Sequence, residues 1–551
     1  MTYTEDALIE QPTIQLFSDL GWETITCWKE VFGSVDDESL LNNPLFLGRE
    51  TRNDVVLFAR LKAALLKLNP DINRLIIQEA IDEIVRDRSA MTSVSANEAV
   101  YELLKNGYVY NTDVEREDDC VIRYVDWDNT SENDFLLCSQ MSIAGELYTR
   151  RPDLLGFING IPFLFVELKA SHRNLFTAYK DNLSDYRKTI PNLFTYNQII
   201  ILSNGAQSKV GSISSQWEHF AEWKKIESES EQRKVSLEVV IHGVCEQNRL
   251  LDIIENYILF VKTKHTMKII AKYHQYIGVN QALLGLTNIK ERSGQLGVFW
   301  HTQGSGKSYS MVFFCKKAFR KYTGNWTFVL ITDRTDLDDQ IYKTFNAAGI
   351  VTENCQAETG IQLKTLLSED HRFVFTLIQK FKGDEKGNYP ILSERDDVIV
   401  ITDEAHRSQY DSLAMNMRSS MPNASFMAFT GTPLLAGEAK TQEVFGDYIS
   451  IYNFSDAVGD GATLPLYYEN RVPEVSLSNE DIGDEIAEIL DEADLTEEQE
   501  ARLETEFSKA YHIITRDDRL ETVAKDMVEH YINRAPFADG MLGKAMVVSI
   551  D

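Results

Sequence analysis

Asp153, Glu167 and Lys169 stand at a spacing that suits metal-dependent phosphodiester hydrolysis. Cutting a phosphodiester needs a divalent metal to generate hydroxide and to neutralise the charge that develops on the phosphate. Magnesium takes oxygen ligands, typically one or two carboxylates completed by water and substrate phosphate. Asp153 and Glu167 are therefore the candidate metal ligands, and Lys169 the group that orients the water or stabilises the transition state. In a strand, period-two geometry places Glu167 and Lys169 on one face, with Phe165 one step earlier. The spacing alone recurs by chance, and its bland alternative is an exposed edge strand carrying a surface ion pair. Context favours chemistry: an Arg-Pro-Asp turn precedes the pair, and Glu-Leu-Lys ends the apolar run from Ile161.

A second set follows downstream. His301-Thr302-Gln-Gly304-Ser305-Gly306-Lys307-Ser308 lies between an apolar strand-like run ending at Trp300 and the helical run Tyr309–Phe319. Strand, glycine-rich loop and helix form the context of a phosphate-binding loop, in which backbone N–H groups cradle phosphates. Lys307 is placed for the β and γ oxygens of ATP, and Ser308 for magnesium. His301 replaces the first glycine of the usual pattern, a form found in helicase-type motors. Asp403-Glu404-Ala405-His406 follows another apolar run; Asp403 would hold magnesium through water, Glu404 would polarise the attacking water, and His406 would sense the nucleotide. Thr430-Gly431-Thr432, behind a third run, resembles the element that couples ATP state to DNA grip. Three such elements in order, each behind a predicted strand, predict a nucleotide-driven motor.

These residues need rigid elements to hold them. The sequence predicts a helix over about Glu5 to Leu20, a strand over Trp22–Cys27, and helices between 53 and 107, where Leu57, Leu61, Leu65 and Leu66 recur with helical spacing. Leu154–Ile158 and Ile161–Leu168 flank Asn159-Gly160, a strong hairpin signal. A further strand over Gln198–Leu202 completes a mixed α/β unit closing near 245, and a helical connector runs from 250 to about 287. Strands at Leu296–Trp300, Thr327–Thr332, Phe373–Leu377, Val398–Thr402 and Phe426–Phe429 then alternate with helices, which predicts a parallel sheet covered on both faces. Lys544–Asp551 reads as the first strand of a last unit, and a domain that stops on its first buried strand points to truncation.

The 551 residues exceed one hydrophobic core, so roughly three or four domains are expected. The division is nuclease over 1–250, first motor domain over 251–470, acidic linker or helix over 471–509, and the start of a second motor domain over 510–551. Six cysteines without close pairs exclude a zinc ribbon of the usual spacing and suggest a reducing compartment. There is no signal-peptide core, and no apolar run approaches the ~20 residues of a membrane span. A cytoplasmic protein without membrane contact is expected. The net charge of −30 argues against nucleic-acid binding by the chain as a whole. Residues 474–506 hold fourteen acidic side chains against Arg502 alone, which leaves −17 for the rest. Any DNA contact must therefore come from local basic groups or from partner subunits.

Taken together, Trp300–Ser308, Asp333-Arg334-Thr-Asp336-Leu-Asp-Asp-Gln340, Asp403–Arg407 and the preceding Asp153/Glu167/Lys169 resemble the restriction (motor and endonuclease) subunit of type I restriction–modification enzymes. Generic helicases lack the Asp333–Gln340 string. The resemblance implies a PD-(D/E)xK-type nuclease domain followed by RecA-like superfamily 2 helicase domains with parallel sheets. It implies ATP and Mg2+ as cofactors, Gln275 as an adenine contact, and double-stranded DNA with methyltransferase and specificity subunits as partners. Unmodified DNA would be translocated by ATP hydrolysis and cut away from the recognition site. Asn182 and Tyr186 fall on the Gln-x-x-x-Tyr element of related nucleases, with asparagine at the glutamine position. The second RecA-like lobe, which carries an arginine finger in this family, is largely missing, so the chain is expected to bind nucleotide yet hydrolyse it poorly. Two rival readings are a free-standing helicase with a non-catalytic N-terminal DNA-binding domain, and a scaffold whose nucleotide site switches without turnover.

Overall fold

A computed structural model describes residues 9–34, 39–40, 43–110, 120–351, 353, 355–369, 371–381, 389–403, 410–432, 443–468, 517–534 and 543–548. They fall into two compact units, Met1–Leu464 and Pro465–Asp551.

The first half of the larger unit is built on a seven-stranded mixed sheet whose spatial order follows the chain: β1 (Glu23–Thr26), β2 (Phe135–Ser139), β3 (Leu154–Ile158), β4 (Ile161–Leu168), β5 (Ile199–Ser203), β6 (Ser208–Gly211) and β7 (Ala221–Glu222). β1 runs parallel to β2 and β4 parallel to β5, while β2, β3 and β4 form an antiparallel meander. All eight residues of β4 are buried. This strand is central, so the exposed-edge alternative for Glu167 and Lys169 does not hold. The Asn-Gly hairpin forms as expected: Asn159 (φ 51°) and Gly160 (φ 78°) both take positive φ, as a type I′ turn requires. The turn is not a surface tip. Asn159 is fully buried and donates to the Tyr124 carbonyl at 2.9 Å, while Gly160 packs on the start of the helix Phe58–Leu68.

The predicted helical region resolves into α2 (Phe58–Leu68), α3 (Arg74–Val85) and α4 (Ser93–Asn106), preceded in the chain by α1 (Gln11–Asp19). α1 falls within the expected Glu5–Leu20, of which residues 5–8 lie outside the described residues. Asn73 and Thr92 cap the N-termini of α3 and α4 through their side chains, and Gly107 (φ 83°) ends α4. Leu57, Leu61 and Leu65 are fully buried, which makes the helical spacing the core-facing stripe. Between β4 and β5 the chain passes through a π-helical turn, Ala178–Leu183, that leads into α5 (Ser184–Thr189).

The connector differs from expectation. Between α7 (Gln247–Asn256), which follows α6 (Leu237–Cys245), and α8 (Tyr273–Thr287) it forms a β-hairpin, β8 (Ile258–Lys262) with β9 (Thr266–Ile270). Its apolar run Ile258–Val261 is buried against the helices, so the hydrophobicity that suits a helix is used here by a strand pair.

The motor sheet has six parallel strands: β10 (Gln295–His301), β11 (Thr327–Thr332), β12 (Phe373–Leu377), β13 (Val398–Asp403), β14 (Ser425–Thr430) and β15 (Tyr448–Tyr452), in the order β12-β11-β13-β14-β10-β15. Alternate residues feed two separate cores. Phe328, Leu330, Ile399 and Ile401 pack with α9 (Lys307–Lys321) and α10 (Thr335–Ala347). Val329, Ile331, Val398 and Val400 pack with α11 (Gly360–Ser368) and α12 (Tyr410–Ser420). The expected layer of helices on each face is therefore present. The edge strand β15 was not foreseen: Tyr448-Ile-Ser-Ile-Tyr452 pairs with β10 and flanks the phosphate loop.

In the smaller unit, the described residues contain α13 (Asp517–Asn533), and the Tyr531 hydroxyl donates to the Gly543 carbonyl at 2.7 Å. Residues 543–548 form no strand, contrary to the reading of Lys544–Asp551, and no partner strand is described in that unit to pair with them. The acidic stretch 471–509 lies outside the described residues. All six cysteines are free thiols, and no described helix is long and apolar enough to cross a membrane.

The buried turn gives a stability test. A Cβ at Gly160 would lie 2.6 Å from the Leu57 carbonyl oxygen and 2.8 Å from the Leu61 nitrogen, both backbone atoms. Gly160→Ala should lower stability by about 3 kcal/mol, combining left-handed strain with overpacking. Chemical denaturation at constant m-value is the measurement.

Candidate nuclease and nucleotide sites

Strand register brings the first set together. Leu154 pairs with Val166 and Leu155 with Phe165, so continuing the ladder by one residue sets Asp153 opposite Glu167. The Asp153 carboxylate accepts the backbone N–H of Leu168 at 2.7 Å, which fixes it across the mouth of the hairpin. Lys169, just past the strand, donates from Nζ to Glu167 Oε1 at 2.9 Å, and the two share a face as period two requires. Glu167 is only 1% exposed, so this is a carboxylate held inside the fold with its countercharge beside it.

The next layer comes from the π-helical turn. Asn182 donates to the same Glu167 oxygen at 2.6 Å, and Tyr186 packs edge-on to Phe165 at 5.8 Å. Burial, with Glu167 nearby, raises the Tyr186 phenol well above its ordinary range. π-helical turns commonly mark functional positions, and here the turn aims Asn182 at the carboxylate. Glu10 and Gln140 also belong to this site, and the sequence did not single them out. Gln140 Nε2 lies 3.0 Å from a Glu10 oxygen and 3.5 Å from Asp153 Oδ1, and its backbone N–H donates to the Asp153 carbonyl at 2.9 Å. Gln140 holds φ at +56°, a left-handed conformation that is costly outside glycine and clusters at functional sites. No local pattern links residues 10, 140 and 153.

Asp153 and Glu167 offer hard oxygen donors at one sheet end, with Lys169 beside them, a set that suits magnesium completed by water and phosphate. Among the described residues no cluster of three or more His, Cys, Asp or Glu gathers as a metal site. A bound magnesium would supply the hydroxide and the charge neutralisation. The chain's own part would be to fix the two carboxylates and to hold the Lys169 ammonium beside Glu167.

The second set gathers at the C-terminal ends of the motor strands, where parallel α/β sheets bind ligands. Gly304 (φ 82°) and Gly306 (φ 92°) supply the left-handed turns of the loop between β10 and α9. Lys307 Nζ donates to the His301 carbonyl at 3.2 Å. Thr302 and Ser305 are buried within the loop, and Ser308 is half-buried on the first turn of α9. Asp403 ends β13 with 9% exposure, and β14 separates it from the loop strand. Thr430 ends that intervening strand, and Gly431 and Thr432 follow it. A Cβ on Gly431 would sit 3.3 Å from Lys307 Nζ, so a side chain at this turn would crowd that lysine. Glu404 and His406 lie outside the described residues.

Asp333 and Arg334 link β11 to α10, and Asp336 and Gln340 lie on the first turns of α10. Arg334, Asp336 and Gln340 are exposed there, and the Asp333 carbonyl accepts from Gln379 at 2.7 Å. Gln275 is buried, with its amide engaged at both ends. It accepts the Lys272 N–H at 2.9 Å and donates to the Gly306 carbonyl at 3.0 Å. Its visible work is to brace the loop.

His274, its neighbour, donates from Nε2 to the Ser305 carbonyl at 3.1 Å and stacks on Tyr452 at 3.8 Å. Two loop carbonyls are thus braced from α8. Burial pushes the His274 imidazole down to about 4 and that of His301 well below its ordinary value. Tyr452 and Tyr273 both donate to Asp460 Oδ2, at 2.7 and 2.9 Å. Lys224 pairs with Asp460 Oδ1 at 2.8 Å and with Glu222 of β7 at 2.8 Å, and Arg233 also pairs with Asp460. Burial opposes the charge on Asp460, but Lys224, Tyr452 and Arg233 hold its carboxyl below the usual range.

The geometry defines a class: a chain with a nuclease-type carboxylate–lysine strand end followed by a parallel P-loop sheet of the superfamily 2 helicase type. Residues 2–219 match the family described as type I restriction enzyme R protein N terminus, and residues 274–501 match the SWI2/SNF2 ATPase family. The chain is 34% identical over 98% of its length to the type I restriction enzyme HindI endonuclease subunit of Haemophilus influenzae, covering 52% of that protein. It is 33% identical over 99% of its length to the putative MjaIXP endonuclease subunit of Methanocaldococcus jannaschii, covering 53%. A solved fragment of a putative HsdR subunit from Vibrio vulnificus shares 14% identity over 59% of this chain and 56% of that one, at a TM-score of 0.25 that carries no weight. The chain belongs to the family of type I restriction enzyme endonuclease (R) subunits, and it spans about half the length of these relatives.

The histidine brace has a pH signature. His274 titrates lower in the folded protein than the ordinary 6.5 of a free imidazole, so the unfolded chain takes up a proton that the folded site refuses. This contribution is fully present above pH 6.5 and is lost as pH falls toward 4, to the extent of about 3 kcal/mol. His274→Gln should remove that part of the acid destabilisation, read as a flatter dependence of unfolding free energy on pH between 6.5 and 4.

Proposed function

We propose that this chain is the nuclease and first motor portion of an ATP-dependent translocase and endonuclease that cuts unmodified double-stranded DNA away from its recognition site. The observation that carries the reading is that one compact unit holds both the Asp153/Glu167/Lys169 strand end and the Lys307 phosphate loop. Asp153 and Glu167 hold Mg2+, Lys169 acts at the reacting phosphate, and Ser308 and Asp403 hold the magnesium of ATP. Glu404 polarises the water that attacks ATP, His406 senses the nucleotide, and Gln275 faces the adenine side of the loop. Asp333, Arg334, Asp336, Gln340 and Thr430–Thr432 couple nucleotide state to DNA grip. The nuclease domain is taken as 1–250 and the first motor domain as 251–470. Methyltransferase and specificity subunits are the partners in the cytoplasm, and they supply sequence recognition, consistent with the acidic balance of this chain.

Restriction of unmodified phage DNA by the full-length protein with its partner subunits tests this. Lys307→Ala should abolish both DNA-stimulated ATP hydrolysis and cutting, by a hundredfold or more. Glu167→Ala should abolish cutting alone and leave hydrolysis at the wild-type rate. Persistent cutting by Glu167→Ala would make the hairpin carboxylates structural and return the nuclease reading to the free-standing helicase alternative.

A further inference from the structure

Trp28 is 59% exposed, although it lies one residue beyond Cys27, which is buried. The turn that presents it is fixed from below. Cys27 donates its backbone N–H to the Ser139 carbonyl at 2.9 Å, and Glu30 donates its own to Cys27 at 3.2 Å. Glu30 reaches down to Arg49, a fully buried guanidinium 3.2 Å away that also donates to the Ser142 carbonyl at 2.7 Å. An exposed indole on an anchored turn is not a fraying loop tip.

The Arg151 guanidinium lies 4.0 Å from the centre of the Trp28 ring. Among the described residues Arg151 forms no ion pair, and its Nε is buried without a hydrogen bond. Its neighbour Arg150, by contrast, is paired with Asp185 at 2.6 Å. Arg151 stands two residues before Asp153. Trp28 is reached from β1, whose partner β2 runs directly into Gln140, the residue bonded to Asp153. Nearby, exposed Arg52 lies over Phe32 at 5.7 Å, and its carbonyl accepts from Ala144. Arg151, two residues before Asp153, therefore presents a cation on an aromatic face at this end of the sheet in a chain of net charge −30.

We infer that Trp28 and Arg151 form a DNA platform at the mouth of the nuclease site, Arg151 contacting a phosphate beside the scissile one and Trp28 packing on an adjacent sugar or base. This rests on the nuclease reading of Asp153, Glu167 and Lys169. A guanidinium stacked on an aromatic ring keeps its donor edge open and oriented, which suits phosphate oxygens. Base–aromatic stacking tolerates any sequence, as a nuclease that cuts away from its recognition site requires. Both residues are positioning residues: they hold the backbone over the carboxylates.

The test uses the full-length protein assembled with its partner subunits, and duplex DNA carrying 5-iodouracil. Irradiation of the wild-type complex should cross-link the DNA to Trp28, a readout that a structural tryptophan would not give. Trp28→Ala and Arg151→Ala should slow cutting tenfold or more at unchanged melting temperature, Trp28→Phe should restore most of the rate, and Arg151→Ala should flatten the salt dependence of cutting by about one phosphate contact. Absence of any cross-link within residues 27–33 together with wild-type cutting by both alanine variants overturns the platform. Because the cross-link is read on wild-type protein, a variant that fails to fold does not decide the matter. Glu167→Ala in parallel separates the two ideas: if it still cuts, the nuclease reading fails, and if it does not, the platform stands or falls on its own variants.

Discussion

A carboxylate inside a sheet sets the terms for the first half of this molecule. Glu167 is 1% exposed at the end of a strand buried along its whole length. Burying a charge without partners is strongly unfavourable. The surroundings answer that cost from two directions, Lys169 from the same strand and Asn182 from the π-helical turn, while the neighbouring Asp153 carboxylate takes the Leu168 N–H. Each of these depends on β4 being central and on its register with β3 and β5. A one-residue slip in the hairpin would turn Glu167 to the other face and separate it from Lys169 and Asn182 together. The buried Asn159-Gly160 turn, locked onto α2, prevents that slip.

The second half depends on backbone carbonyls. A phosphate loop needs N–H groups for a ligand, and the structure restrains it largely through its carbonyl side, beyond the Thr302 N–H held by Tyr452 and the Ser305 N–H held by Thr302. His274 and Gln275 take the carbonyls of Ser305 and Gly306, and Lys307 takes that of His301. The brace then continues outward from His274 through Tyr452 to Asp460, and from Asp460 to Lys224 and Arg233. Ser450 extends a parallel link: its hydroxyl donates to Glu229 and accepts from His301 Nε2. Lys224, Glu229 and Arg233 lie between the two family matches, which end at 219 and resume at 274. The stretch between is thus a polar joint that ties the last nuclease strand to the nucleotide loop within one compact unit.

Much of this was legible in the sequence because it is local. The Asn-Gly hairpin, the strands β10 to β14 and the glycines of the phosphate loop are all dictated by short-range patterns of turn chemistry and burial. What escaped was non-local or ambiguous in period. The run Ile258–Val261 is apolar enough for helix or strand, and only its pairing with Thr266–Ile270 decides the matter. Tyr448–Tyr452 alternates as a strand, but its place beside β10 depends on a crossover of the chain. Glu10, Gln140 and Asp460 are polar residues with no motif around them. Each has a partner more than a hundred residues away that no local pattern signals: Gln140 for Glu10, and Lys224 and Arg233 for Asp460.

Charge makes the same point at the scale of the chain. A net −30 argues against nucleic-acid binding when it is spread evenly in the mind, but electrostatics in salt acts over about 10 Å. Locally, Arg52 and Arg151 lie on aromatic faces, and Lys169 lies beside Glu167. The acidic run at 474–506 accounts for much of the imbalance and lies far along the sequence from all three. Many of the remaining cations are spent on internal pairs such as Lys317 with Asp252 and Arg320 with Glu255. The bulk sum therefore counts charges that neutralise one another inside the fold. What a phosphate would meet is decided by the few basic groups left facing outward where the carboxylates sit.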